Sequence, residues 1–360
     1  MATLGPSLNN CVSTNSSLIV NDTLITVGDE GRLNSIRWFM VVILATGVLG
    51  NCSFLLVVAR RESMRNVINV YLANLAIADI ILLIVSSIPS LTNTAPHSSK
   101  IWGCMFMVIT TTSYYSSIST VSLLAWDRFR AICKPIKHMA ISSIKRSMKL
   151  VAAAWCCSLI YSVIVYLERM VTLKGCKLSG VAPLSNSPIE SYKTDNFHPS
   201  PSLSDVFLVL PFIVCLSLNC WLYARIIHAL RNRFAHRMNR PNQQVPEWIR
   251  KICQSRVRIT RMLALNSLIF FLCNAPRSVT TISGYIHETL GVTRWDADQN
   301  IHVLSTVLFV VNSCINPLIY NLTNTKYRQA FREVFMPSCC SSSRPTQRTP
   351  RVVHLHILSD

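Results

Sequence analysis

The sequence predicts an all-α membrane protein, a bundle of seven transmembrane helices with a short amphipathic cytoplasmic helix after the seventh span. Three observations predict it. Half of the 360 residues are hydrophobic and only 14% are charged, which is too little charge to coat a soluble globule of that size. Seven stretches approach the roughly 20 mostly apolar residues that a hydrocarbon core requires. Short polar connections separate them, and backbone groups inside lipid must be satisfied within their own segment, so each stretch reads as a helix.

In chain order, the polar residues 1–36 form an expected extracellular, glycosylated segment. They hold no basic region followed by a short apolar run, so the first span is expected to act as the insertion signal. The spans are expected at Trp38–Ala59, Asn69–Ser90, Trp102–Leu124, Met148–Leu167, Leu203–Leu230, Ile259–His287 and Ile301–Tyr320. A long outer loop is expected from Val171 to about Ser202, and a short basic inner loop from Arg231 to Gln254. Beyond the last span, Lys326 to Phe335 alternates apolar and basic residues at helical spacing, as an interfacial helix does. One bundle over 37–335 and a cytoplasmic tail over 336–360 complete the division.

Charge orients the bundle. An outer amino terminus puts 26 of the 35 Lys and Arg on the cytoplasmic side with only five acids, against nine bases and ten acids outside. That asymmetry is the one membrane insertion imposes. Nucleic-acid binding, the other reading of so basic a chain, is excluded because the charge follows topology and forms no continuous groove. The sequons at Asn15 and Asn21 fall on the outside, where an acceptor must be. Those at Asn51 and Asn321 fall within a span and at a cytoplasmic helix end, and read as decoys.

Of 14 cysteines, only Cys11, Cys104 and Cys176 lie outside in this arrangement. A Cys104–Cys176 disulfide would tie the outer end of the third helix to the loop after the fourth. Cys339 and Cys340, shortly past the amphipathic stretch, are candidates for palmitoylation. Most of the others are expected to pack as small apolar residues.

Polar residues inside the spans point to function. Asp79 is the only carboxylate deep in any span, and an ionisable group there is costly enough to imply a role. Its expected partners are Asn51, Ser117, Asn312, Ser313 and Asn316, which could hold water and a sodium ion. No other cofactor or metal is expected.

Four segments carry a family resemblance: Gly50-Asn51, Leu75-Ala76-Ile77-Ala78-Asp79, Trp126-Asp127-Arg128-Phe129 and Asn316-Pro317-Leu318-Ile319-Tyr320. Together with Trp102, Cys104, Trp155, Pro211 and Pro276, they resemble the marks of rhodopsin-like (class A) G-protein-coupled receptors. The resemblance runs from about Trp38 to Phe335 and fits a peptide receptor, with only a loose likeness to invertebrate-type peptide receptors. It implies a plasma-membrane receptor whose outer pocket is coupled to a heterotrimeric G protein, with arrestin and receptor kinases as further partners.

The residues suggest how such a switch would work. A carboxylate at Asp127 can hold the Arg128 guanidinium until the helices part; the resemblance implies that Arg128 then meets the G protein. Pro211, Pro276 and Pro317 each remove a backbone hydrogen bond and give a helix a bend. Tyr320 is expected beside the Arg128 cleft. Two departures stand out: Asn274 occupies a place where the family carries a tryptophan, and Asn219 one where it carries a tyrosine. The inner end of the sixth span, Arg256-Val257-Arg258, is basic, so no carboxylate there can clasp Arg128. A weaker inactive-state lock, with some ligand-free signalling, is the expectation.

For the ligand, the third span has no acid between Cys104 and Leu124, and no lysine occurs from Gln299 to Asn324. These absences disfavour an amine receptor and a retinal-binding opsin. Thr110, Tyr114, Tyr115, Glu168, Arg277, Tyr285 and Glu288 form the expected ligand-binding set, whose aromatic and charged mixture suits a peptide. A non-peptide acidic or lipid-like molecule is the alternative, since Arg277 needs an acidic or amide-rich partner. A transporter is disfavoured by the absence of paired repeats and broken helices. An enzyme is disfavoured because no nucleophile, base and orienting group occur together.

Overall fold

The computed structural model describes residues 38–92, 100–178, 203–238, 247–290 and 298–336, and among them it is helical throughout, without strands. The long helices are α1 (Trp38–Arg60), α2 (Val67–Thr92), α3 (Lys100–Cys133), α5 (Ile144–Leu178), α6 (Leu203–Met238), α7 (Glu247–Leu290) and α8 (Asp298–Thr323). Two short helices, α4 (Pro135–Ile141) and α9 (Thr325–Phe335), lie on the expected cytoplasmic side.

Each helix outlasts the span expected for it. α3 continues nine residues past Leu124, and α7 begins twelve residues before Ile259. Hydropathy reads only the part of a helix that contacts lipid, whereas backbone hydrogen bonding carries the helix on into water. For the same reason α5 runs to Leu178 and replaces the first turns of the outer loop expected from Val171. Likewise, α6 and α7 extend into the segment expected as the inner loop Arg231–Gln254. The short α4 has no hydropathy signature; it starts with Pro135 in its first turn, where the missing N–H costs nothing.

Six of the described helices are long and apolar enough to cross a membrane by composition alone, and α3 is the exception. Its middle is rich in hydroxyls, from Thr110 to Thr120, and Thr112, Ser113, Ser116, Ser117 and Thr120 are all buried. α3 packs against α2, α5, α6 and α7, so protein replaces lipid as its solvent. By contrast, only 17% of the apolar window of α5 is buried against 56% for α2, which puts α5 at the periphery and α2 inside. Outward side chains such as Ile160, Ile164, Val279 and Leu318 are large, apolar and exposed, as a lipid-facing surface requires. Cys52, Cys156, Cys157 and Cys220 share that exposed surface and do not fill the interior as packing residues.

Two carbonyls that prolines leave without a helical donor are satisfied by side chains. Pro211 cannot donate to the Phe207 carbonyl four residues earlier, and the Tyr161 hydroxyl of α5 donates to it at 2.7 Å. Pro317 leaves the Ser313 carbonyl without its helical donor, and Asn51 Nδ2 of α1 supplies one at 2.8 Å. A third polar tie joins three helices: Trp155 Nε1 donates to Asn74 Oδ1 at 2.7 Å, and Asn74 Nδ2 donates to Thr120 Oγ1 at 2.7 Å.

α9 starts where Asn324 caps it, the side-chain oxygen accepting from the Lys326 N–H at 3.1 Å. It buries Tyr327 and Ala330 against Phe54, Tyr71 and Tyr320, with Phe331 and Val334 alongside. The Tyr327 hydroxyl donates to Asn69 Oδ1, and burial raises the Tyr327 phenol above its ordinary range. Lys326, Arg328 and Arg332 stay exposed on the other face, so the amphipathic pattern becomes a docked helix with a basic outer side.

Candidate functional site

The site runs along α3, with an aromatic chamber toward one end and a clasped arginine at the other. In the chamber, the Tyr114 ring stacks on Phe270 of α7 with centroids 6.3 Å apart, and lies 5.6 Å from Phe309 of α8. Arg277, one residue past Pro276 on α7, places its guanidinium carbon 4.7 Å above the Phe309 ring. Phe309 is buried, yet Arg277 is exposed. Seated on a buried ring of α8, the Arg277 guanidinium lies on the inward side of α7 and not toward lipid.

The other expected ligand contacts are dispersed. Tyr115 is buried, its hydroxyl donating to the Leu208 carbonyl of α6 at 3.0 Å and its ring meeting Tyr161 edge-on. Thr110 donates to the Phe106 carbonyl of its own helix at 2.8 Å. Glu168 and Tyr285 are half-buried on α5 and α7. The side chains of Glu288, Cys104 and Cys176, and all of Asn15, Asn21, Cys339 and Cys340, lie outside the described residues. Phe309 and Phe270 carried no signal of their own in sequence, because an apolar ring on a membrane helix has the look of a lipid contact.

Below the chamber lies a buried polar tier. Asn316 Nδ2 donates to Asp79 Oδ2 at 2.6 Å, and Asn51 also donates to the Gly47 carbonyl at 2.9 Å. Asp79, Asn312, Ser313, Asn316 and Ser117 are all buried. The Ser113, Ser116 and Ser117 hydroxyls and Asn51 Oδ1 have no partner among the described residues. Buried polar atoms without partners call for water or an ion, and one carboxylate with neutral oxygens suits a hard monovalent cation.

Asn274, where the resemblance implies a tryptophan, is buried and donates to the Phe270 carbonyl of its own helix at 2.7 Å, leaving Oδ1 unpaired. Asn219 donates to Ser122 Oγ of α3 at 2.8 Å. One turn further along α6, the Tyr223 hydroxyl meets Ser267 Oγ of α7 at 3.1 Å. A tyrosine thus bridges α6 and α7, displaced by four positions from the expected one.

At the inner end, Arg128 is buried and ion-paired with Asp127. The other Asp127 oxygen meets His138 Nε2 of α4 at 2.9 Å. His138 was absent from the expected set; a lone histidine in a loop gives no sequence signal. No carboxylate of α7 reaches Arg128 among the described residues. Instead, Arg256 Nη1 donates to the Ala131 carbonyl of α3 at 3.3 Å and Arg258 Nη1 to Thr325 Oγ1 of α9 at 3.1 Å. Tyr320 packs between Phe54 and Tyr327, and its buried hydroxyl has no partner among the described residues. Arg128 Nε is likewise unpaired.

A bundle with a lipid-facing surface, rings from three helices gathered beside Arg277 and an ion-paired Arg128 at the inner end has the architecture of a multi-pass membrane protein. Residues 50–320 match the seven-transmembrane receptor (rhodopsin family) profile, and the chain belongs to that family of G-protein-coupled receptors. It is similar to the thyrotropin-releasing hormone receptor of Mus musculus, 27% identical over 86% of this chain and 80% of that protein. It is similar too to neuromedin-U receptor 2 of Mus musculus, 27% identical over 83% and 74% of the two chains. Bombesin receptor subtype-3 of Ovis aries is 26% identical over 94% and 85%.

Proposed function

We propose that this protein is a plasma-membrane receptor for an extracellular peptide, that it is not an enzyme, and that it activates a heterotrimeric G protein by rearranging its helices. The observation that carries the reading is the two-ended α3. Tyr114 lines the chamber with Phe309 and Arg277, and Arg128 is clasped about four turns away on the same helix. The three relatives, named as receptors for thyrotropin-releasing hormone, neuromedin-U and bombesin, favour a peptide over an amine.

The peptide enters from the side of the amino terminus, which faces outward on the charge asymmetry. Thr110, Tyr114, Tyr115, Glu168, Arg277, Tyr285 and Glu288 surround it. A Cys104–Cys176 disulfide braces the entrance, and Asn15 and Asn21 carry glycans. Binding moves α7 about Pro276 and α8 about Pro317, which separates α7 from α3 at the inner end. Asp127 then releases Arg128, and Tyr320 gains the hydrogen-bond partner it lacks in the closed arrangement. Asp79, Ser117 and Ser313, with Asn51, Asn312 and Asn316 around them, would hold a sodium ion whose charge favours the closed state. Palmitoyl chains on Cys339 and Cys340 would hold α9 at the bilayer. Arrestin and receptor kinases would act on the tail over 336–360.

Reconstitution in lipid nanodiscs with a purified heterotrimeric G protein tests the proposal. A pool of synthetic peptides is expected to accelerate GDP-for-GTP exchange in the wild type and to fail with Arg128→Ala. Peptide-driven solute flux without any exchange would overturn it in favour of a transporter.

A further inference from the structure

Arg277 is a cation in the middle of the bundle, and the described residues give it rings but no counter-charge. Its guanidinium lies over Phe309. Phe309 in turn meets Tyr114, and Tyr114 stacks on Phe270, so three rings from three helices form one floor. Such a floor holds the guanidinium from one face by cation–π attraction. It leaves the in-plane N–H fork unmatched, since ring faces do not accept in that plane.

Of the carboxylates whose side chains are described, Glu168 is half-buried toward the outer end of α5 and has an interaction of its own, and the others are placed elsewhere. Asp79 is bonded by Asn316, Asp127 by Arg128 and His138, and Glu333 by Arg61 and Gln329. Glu247 pairs with Lys251 within its own turn, and Glu62 sits in the short 3-10 turn after α1, near the same inner end. Tyr115, the other nearby phenol, already donates to Leu208. A neutral acceptor satisfies one N–H of the fork, whereas a carboxylate satisfies two in parallel and neutralises the charge.

We infer that Arg277 is an anion-recognition site, and that the molecule filling the chamber presents a carboxylate to it while laying an apolar or aromatic group on the Tyr114–Phe309–Phe270 floor. The inference rests on the receptor reading above and names the chemistry its ligand must carry. A carboxylate can come from a peptide's free C-terminus, from an Asp or Glu side chain, or from a non-peptide organic acid. The first has a consequence that can be checked directly: blocking the C-terminus as a carboxamide removes the charge and one acceptor while leaving size and sequence unchanged.

The test uses four panels on the full chain in nanodiscs, with nucleotide exchange on a purified G protein as the readout. The panels are tetrapeptides free of Asp and Glu as C-terminal acids, the same peptides as carboxamides, carboxamides containing Asp or Glu, and aliphatic and aryl carboxylic acids. Activity is expected only from carboxylate-bearing panels. Arg277→Gln should weaken it by at least about 30-fold, the size expected when one partner of a desolvated charge pair is removed. Arg277→Lys, which keeps the charge but not the fork, should retain part of the potency and shows that the position tolerates change. Confinement of activity to the organic acids, with loss in Arg277→Gln, would keep this inference and sink the peptide reading. Neutral carboxamides that activate the wild type and Arg277→Gln equally would keep the peptide reading and overturn this inference.

Discussion

Replacing Asn51 with leucine removes a hydrogen bond that α8 cannot supply for itself. Residue 317 is proline, so the Ser313 carbonyl has no backbone donor in its own helix; Asn51 Nδ2, 2.8 Å away, is its donor. Asn51 is fully buried, and leucine keeps much of its volume while deleting the amide. Stranding the carbonyl costs about 1–3 kcal/mol. The lost bond to Gly47 adds little, because that carbonyl keeps its ordinary helical partner. Deleting the unpaired Asn51 Oδ1 is a gain, so the lower half of that range, about 1–2 kcal/mol, is expected. Unfolding titrations in mixed detergent micelles, followed by tryptophan fluorescence, measure it. The decisive arm is Pro317→Ala, which restores an N–H facing Ser313. In that background Asn51→Leu should cost less than about half as much, which gives a coupling energy between two residues on different helices. Equal costs with and without the proline would refute the claim that Asn51 serves the proline-freed carbonyl.

Tyr161→Phe should destabilise the fold by about 1 kcal/mol by orphaning the Phe207 carbonyl, and Pro211→Ala should recover most of it in the same titration. Gly47→Ala would bring a Cβ within 2.5 Å of Cys314 Sγ and 2.6 Å of Leu83 Cδ1. Overpacking of about 1–3 kcal/mol should lower surface expression, and adding Cys314→Ala should restore part of it. His138→Ala and Arg256→Ala each remove one bond that holds the inner end closed. Either should raise ligand-free nucleotide exchange by about 5-fold, the equivalent of roughly 1 kcal/mol; unchanged basal exchange at equal expression would remove both from the lock.

The seven spans were legible because lipid selects for length and apolarity, and those are written directly in the chain. α3 was legible only in part: its hydroxyls read as polar, and their burial against four other helices is a tertiary fact. Asp79, Arg128 and Pro317 stood out because each is costly where it sits. Their partners were harder to read. Asn51 was expected near Asp79, whereas its donor serves the Ser313 carbonyl, a need created by a proline 266 residues away in the chain. His138 and Tyr223 gave no signal, since a histidine in a loop and a tyrosine in an apolar helix are ordinary residues until a fold brings Asp127 and Ser267 to them. Where a carboxylate clasp from α7 is missing among the described residues, the inner end carries an Arg256-to-carbonyl bond and a His138–Asp127 contact.

The central claim is that occupancy of the chamber opens the Arg128 end. Spin labels at Cys253 on α7 and at Met139→Cys on α4, both exposed, with the remaining exposed cysteines replaced by alanine, report that separation in nanodiscs. On adding an activating peptide from the panels above together with nucleotide-free G protein, the distance distribution should shift outward by several ångström, and Pro276→Ala should reduce the shift. A distribution that stays fixed while nucleotide exchange accelerates would contradict the account.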